Sequence, residues 1–233
     1  MEIADNVARV RERIAGAARR ARRRESEITL MAVTKTFPAE RIREAYAAGL
    51  GVFGENRVQE FAGKAAAVAG LEGAEFHLIG HLQSNKAAKA AELFQAVDAL
   101  DSLRLARRLN EAAARLGRRL PVLLEINLGG EGQKSGLSES SEEWEALLLA
   151  APCLEHLEVR GLMAIPPYTE DPEGARPFFR RLREVRDKLA ARRLPHIACS
   201  VLSMGMSHDF EIAIEEGSTC VRIGTAIFGT RTA

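Results

Sequence analysis

Lysine 35 stands at the end of an apolar run, Ile28–Val33, and is followed by polar residues. A lysine that ends a buried strand presents its amine where partial desolvation lowers its pKa, which frees the amine for carbonyl chemistry. The same placement also suits a lysine that snorkels at a strand edge. A carbonyl cofactor and an aldolase-type substrate fit the reactive reading equally well. Two further stretches point toward a phosphate. Ser203-Met204-Gly205-Met206-Ser207 runs toward a helix, and Arg222-Ile223-Gly224-Thr225 ends another apolar run. Hydroxyl-bearing glycine loops of this kind offer backbone N–H groups and side-chain donors to an anion. Arg222, two residues before Gly224, either faces the ligand or forms a structural ion pair; its spacing leaves both open.

Other polar residues carry weaker signals. His77 lies inside a strand and reads as a hydrogen-bonded core histidine. His81 and His208 fall in loops, with no carboxylate partner at a fixed spacing. Tyr46 reads as helix packing, and Tyr168, after Pro166-Pro167, as a turn residue. Met204 and Met206 read as loop packing, and Cys199 and Cys220 as small core residues on neighbouring strands. No metal-ligand cluster is apparent. The three cysteines are too few and too scattered for a disulfide framework or a zinc site.

These residues must be held by a scaffold, and the chain supplies a regular one. Ile3, Val7, Val10, Ile14 and Ala18 share one face of a leading helix over 2–24. The arginines at its end, Arg19, Arg20, Arg22, Arg23 and Arg24, read as a solvated helix terminus favoured by the dipole. Beyond residue 26, apolar strands alternate with helices. The strands fall at 28–33, 51–53, 76–79, 95–99, 122–126, 159–165, 200–203 and 220–223. The helices between them fall at 38–48, 55–69, 85–94, 102–116, 140–150, 173–192 and 207–216. Pro38 suits a first helical position, Gly49 and Gly117 mark helix ends, and Ser84 and Ser102 are caps. Ser140 with Glu143 forms a capping box.

Continuous apolar strands alternating with helices imply a parallel sheet buried on both faces. Eight such units in 233 residues predict a single (β/α)8 barrel with an extra N-terminal helix. One domain over 1–233 is expected, with helix 1–24 packed on the barrel. Barrel ligands sit at the C-terminal strand ends, where Lys35, Asn56, Asn85, Asn127 and the two glycine loops all fall. A net charge of +1 gives no general field for nucleic acid or membrane. The first residues lack the apolar core of a signal peptide, and no run approaches a membrane span, so a cytoplasmic protein is expected.

Longer blocks carry a resemblance. They are Thr34-Lys35; Phe53-Gly54-Glu55-Asn56 with Val58-Gln59-Glu60; and His77-Leu78-Ile79-Gly80-His81-Leu82-Gln83-Ser84-Asn85-Lys86. The later ones are Gly161-Leu162-Met163-Ala164-Ile165-Pro166-Pro167, Leu202 to Ser207, and Val221 to Gly229. In this order the chain resembles the pyridoxal phosphate homeostasis protein family, related to the barrel domain of alanine racemase. The resemblance implies that Lys35 holds pyridoxal 5'-phosphate (PLP) as an internal aldimine. It also implies that Ser203, Gly224 and Thr225 hold the phosphate, that Arg222 faces the pyridine nitrogen, and that Asn56 and Asn85 line the mouth. Arg57 and Ala164 depart from the family pattern, where tyrosine and threonine are frequent, and this touches only outer contacts.

An arginine at the ring nitrogen accepts no proton, so the ring is a poorer electron sink. Related racemases add a tyrosine from a second domain, which this chain lacks. The expectation is a monomeric carrier that stores, buffers or delivers the cofactor without turnover, with PLP-dependent apo-enzymes as possible transient partners. The alternative is a PLP-dependent amino-acid racemase of low or narrow activity. A Schiff-base aldolase without cofactor is a remoter third.

Overall fold

The apolar runs become the staves of a closed barrel. The structure is a computed structural model that describes residues 2–129 and 135–229. Its strands are β1 (Thr29–Val33), β2 (Val52–Glu55), β3 (Glu75–Leu78), β4 (Ala96–Leu100), β5 (Leu120–Glu125), β6 (Leu157–Met163), β7 (Ile197–Met206) and β8 (Cys220–Ile223). Each is parallel to its sequence neighbours, and β8 closes on β1 through Thr29–Cys220, Leu30–Val221, Met31–Arg222 and Ala32–Ile223. Closure removes every sheet edge. It also places the eight strand ends around one mouth, as the alternation of elements predicted.

The helices are α1 (Ile3–Arg20), α2 (Ala39–Ala47), α3 (Val58–Val68), α4 (Ala87–Leu93), α5 (Leu103–Arg115), α6 (Glu142–Ala150), α7 (Arg176–Ala191), α8 (Phe210–Glu215) and α9 (Thr225–Phe228). Phe61 of α3 packs against Phe76 and Phe94, with ring centroids 4.7 and 4.9 Å away, which seats that helix on the sheet. Ser102 caps α5 as expected, accepting a hydrogen bond from Leu105 N. The cap of α6 is Ser141 rather than Ser140, and Glu143 turns away to accept from Leu103 N at 2.7 Å. Pro38 is the residue before α2 rather than its first, and Ser84 begins a 3-10 turn that precedes α4. No helix among the described residues is long and apolar enough to cross a membrane.

Helix α1 stops at Arg20, short of the expected Arg24, because the chain turns at Arg22, whose φ is 54°. Helix α1, whose buried face is Ile3, Val7, Val10, Ile14, Ala17 and Ala18, packs against the outer helices α8, α9 and α2. The arginine run is only partly solvated. Arg20 pairs with Glu211 and Glu215 of α8 at 2.9 and 2.7 Å, and Arg13 with Glu211 at 2.7 Å. Arg23 donates to Ile214 O and Ser218 O at 3.0 and 2.6 Å. Exposed pairs of this sort contribute about 0–1 kcal/mol each, so their value is in fixing where α8 sits.

The largest departure from the sequence reading is β7, which runs on to Met206, with α8 beginning at Phe210. Gly205 makes this possible. Its φ is 93°, and a Cβ there would lie 2.5 Å from Ala213 Cβ and 2.9 Å from Phe210 Cα. A glycine expected to serve a phosphate loop instead lets α8 press onto the strand. Gly205→Ala is expected to destabilise the protein by about 3 kcal/mol, from a strained φ and a backbone clash together. That corresponds to a Tm drop of roughly 6–12 °C in a thermal melt.

Candidate functional site

A cavity of about 430 Å³ opens at the C-terminal ends of the strands. Lys35, Asn56, His81, Glu125, Ser207, Arg222, Gly224 and Thr225 reach its wall, with Phe37, Ile79, Ile165 and Met206 as its apolar surface. Of the seven residues expected at the site, the fold therefore brings together Lys35, Asn56, Arg222, Gly224 and Thr225. Asn85 is exposed in the 3-10 turn and does not line the cavity. Ser203 does not line it either, as described below.

Lys35 is held by its neighbours' backbone. Thr34 Oγ1 donates to Glu55 Oε1 at 2.6 Å. Lys64 Nζ donates to both carboxylate oxygens of Glu55 at 2.8 and 3.0 Å, and to Thr34 O and Phe37 O at 3.2 and 3.1 Å. It also reaches Glu60 Oε1 at 2.9 Å, and that oxygen accepts Thr36 N at 2.6 Å. Residues 34, 36 and 37 are thus all tied to one ammonium and its two acids, and Thr36 takes a φ of 68° within this grip. Glu55 is fully buried. Burial pushes its carboxyl above the ordinary range although Lys64 and Thr34 pull the other way. For Glu60, burial is outweighed by Lys64 and the Thr36 N–H, which hold it below that range.

Arg222 answers the question left by its spacing. It faces the mouth but is buried, and its hydrogen-bond partners among the described residues are neutral. Nη1 donates to Ser203 O and Ser203 Oγ, both at 2.7 Å, and Nη2 to Ala164 O at 2.8 Å. Burial lowers its pKa, while Cys220, Asp98, Asp209 and Glu125 act in the opposite sense. Ser203 is fully buried because β7 continues past it, and its hydroxyl is spent on the guanidinium. The hydroxyl that reaches the cavity from this segment is Ser207. Its turn is fixed by Met206 N donating to Asp209 Oδ1 at 2.6 Å, and Ser207 Oγ accepts from Ala226 N at 3.3 Å. That last contact joins the β7 and β8 loops into one corner with Gly224 and Thr225.

Asn56 depends on Gly80 across the adjacent strand end. A Cβ on Gly80 would lie 2.5 Å from Asn56 O, so only glycine lets the two loops meet. Two wall residues gain their partners only in the fold. Glu125 ends β5 and is buried, with Oε1 accepting from Ser135 Oγ at 2.9 Å. Burial and Asp101 push its carboxyl up. Its reach into the cavity follows only from the barrel's inward alternation. His81 does have a carboxylate partner, Asp101, at 2.9 Å from Nδ1; a spacing of 20 residues hid it. Residues 130–134 of the loop after β5 lie outside the described residues.

The lesser candidates fall away from the mouth or at its rim. His208 sits on the rim, with Nε2 near Thr169 O and Glu170 O at 3.1 Å, and Tyr168 lies against its ring. Tyr168 is 80% exposed. Tyr46 donates its hydroxyl to Glu72 O. Cys220 is buried on β8, where burial pushes its thiol up to about 12, as befits an unreactive core residue. His77 lies at the other end of the barrel, beside a second cavity of about 750 Å³, between Asp98 at 3.2 Å and Glu75 at 3.4 Å. Burial opposes its charge, but these two carboxylates raise its pKa to about 9. Among the described residues no group of His, Cys, Asp and Glu could hold a metal ion.

Fold and site together define a (β/α)8 barrel with a braced lysine, a buried arginine and a hydroxyl-lined corner around one mouth. The family model described as the alanine racemase N-terminal domain matches residues 3–232. A relative from Aquifex aeolicus, a pyridoxal phosphate homeostasis protein, is 46% identical over 99% of both chains. The solved structure of PipY from Synechococcus elongatus PCC7942, with PLP bound, superposes with a TM-score of 0.84 at 37% identity, covering 98% of this chain and 100% of that one. A Clostridium difficile alanine racemase shares the fold at 15% identity, with a TM-score of 0.72 over 98% of this chain and 58% of its own. The chain belongs to the pyridoxal phosphate homeostasis protein family, within the alanine racemase N-terminal domain group.

Two measurements test this electrostatic reading. Lys64→Met leaves the Glu55 carboxylate buried without its cation, and a loss of about 3–5 kcal/mol is expected in a denaturant titration. Adding Glu55→Leu to that variant is expected to recover most of the loss. For His77 the folded pKa is raised above the ordinary 6.5, to about 9. Its contribution is therefore complete below about pH 6.5 and lost as pH rises through 9. Stability is expected to fall by up to about 3 kcal/mol across that window, and His77→Asn to flatten the profile.

Proposed function

We propose that this protein holds PLP in the mouth cavity, attached to Lys35, and serves intracellular homeostasis of the cofactor by storing, buffering or delivering it. One observation carries the reading: a lysine amine, an anion corner and a buried guanidinium share a single cavity of about 430 Å³. The donor set suits the three polar ends of PLP. Lys35 suits the aldehyde, Ser207 with Gly224 and Thr225 the phosphate, and Arg222 the ring nitrogen, with Asn56 beside the ring. Ser203 enters this reading through Arg222 rather than through the phosphate, and Asn85 has no part in it. The cofactor, when bound, supplies a carbonyl that amines attack.

The protein's own groups favour holding over turnover. Arg222 gives no proton to a ring nitrogen, because guanidinium stays charged at any working pH. Its neutral partners leave its orientation fixed, so it keeps that nitrogen unprotonated and weakens the ring as an electron sink. Neither tyrosine of the chain lines the cavity. We therefore read the chain as a cytoplasmic carrier, with apo-enzymes that use the cofactor as its transient partners. One feature favours the alternative of slow amino-acid racemisation: His81, oriented by Asp101, is a base on the cavity wall.

The reading is tested on purified protein. A visible absorbance is expected, and borohydride reduction followed by peptide mapping should place the cofactor on Lys35. Lys35→Ala is expected to lose the absorbance and at least tenfold in cofactor affinity; unchanged affinity and spectrum would contradict the assignment. Incubating the holoprotein with single L-amino acids in deuterated water separates carrier from racemase. Slow or no exchange of the α-proton is expected, and fast exchange with any amino acid refutes the carrier reading.

A further inference from the structure

The mouth cavity has two unlike halves. Its β7, β8 and β1 side carries Ser207, Gly224, Thr225, Arg222 and Lys35. Four strands from β1 around the eight-strand ring stands β5, and the residue it contributes is Glu125. Glu125 is 7% exposed, and Ser135 satisfies Oε1. Oε2 is buried and, among the described residues, has no hydrogen-bond partner. A buried polar atom left without a donor is costly, and a carboxylate oxygen the more so. The group that relieves it is a donor, and a cationic one gains most.

The charged neighbours narrow the choice. Asp101 adds a second negative charge felt by Glu125 and is itself joined to His81. Arg222 also acts on Glu125, but among the described residues its hydrogen bonds go to Ser203 and Ala164. Lys35 stands on the opposite wall, where the cofactor is proposed to attach. An α-amino acid that put its ammonium on Glu125 would bring its carboxylate beside the same two acids. An amine on a plain alkyl stem brings no such charge, and Phe37, Ile79, Ile165 and Met206 offer that stem apolar surface. Ile165 and Met206 are also partly exposed, so the stem has a way in from solvent.

We propose that Glu125 is the ammonium-recognition residue of this cavity, and that the amine it takes is a primary alkylamine with no carboxylate beside the nitrogen, as at the end of a lysine side chain. This rests on the cofactor being held at Lys35, and it names the kind of amine admitted beside it. It also gives a reason, independent of the ring nitrogen, for free amino acids to be poor ligands.

Borohydride-reduced holoprotein, in which the link to Lys35 is fixed, reads binding alone. Calorimetric titration with pentylamine, L-norleucine and Nα-acetyl-lysinamide compares one chain length with and without the carboxylate, and a free amine with a lysine side chain. Pentylamine and Nα-acetyl-lysinamide are expected to bind at least tenfold more tightly than norleucine; which of the two is tighter tells whether small amines or polypeptide lysines are the source. Glu125→Gln, which keeps the shape and removes the charge, is expected to lose at least tenfold in affinity for both amines and nothing for norleucine. Equal or tighter binding of norleucine to the unmutated protein overturns the proposal without any variant, as does an amine affinity unmoved by Glu125→Gln. A protein that gives no Lys35 adduct fails the cofactor reading at that earlier step, and the same titrations on unreduced protein then decide the role of Glu125 alone.

Discussion

The mouth of this barrel depends on a buried ion pair that never touches it. Glu55 is fully buried, and Lys64 is the cation that makes this tolerable. A carboxylate taken out of water costs several kcal/mol unless paired and fully hydrogen-bonded. Here Lys64 and Thr34 use both of its oxygens. The same ammonium shares its three N–H groups with Thr34 O and Phe37 O as well, and Glu60 accepts from Thr36 N. The residue left between these anchors is Lys35. The backbone on either side of it is thereby fixed, which sets where its side chain leaves the strand end.

A similar division of labour runs through the arginine corner. Arg222 and Ser203 belong to β8 and β7, and their mutual hydrogen bonds use up groups that might otherwise have met a ligand. Ser207 becomes the available hydroxyl only because β7 overruns by three residues and Gly205 lets α8 close against it. The two loops are then joined through Ser207 and Ala226. Residues that touch the cavity are thus oriented by residues one layer deeper, the arrangement expected of a site that must hold one geometry.

Much of this was legible in the chain. Strand and helix alternation is a strong periodic signal, and the barrel follows from the count of units. Lys35, Arg222, Gly224 and Thr225 were legible because each ends an apolar strand, where side chains must project toward the mouth. Ser203 and Asn85, given a place at the site by the resemblance, do not line the cavity: a glycine with positive φ prolongs one strand, and Asn85 lies exposed in a 3-10 turn. Glu125 and Lys64 were passed over because their partners lie up to 30 residues away. Contacts of that kind are products of tertiary packing, and no local pattern records them.

Helix α1 has a consequence of another sort. It packs against α8 and α9, its arginines grip α8, and Asn6 donates to Ile227 O at 2.7 Å across a separation of 221 residues. Strand β1 likewise closes on β8. Segments made early therefore find partners made as many as 221 residues later. At about 5–20 residues per second, the apolar face of α1 and the open edge of β1 wait on the order of 10–40 s for relief. Closure is a late, nearly all-or-none event with a long loop to bring together. The chain's vulnerable period is its own translation, when chaperone capture and off-pathway association compete with the arrival of β8.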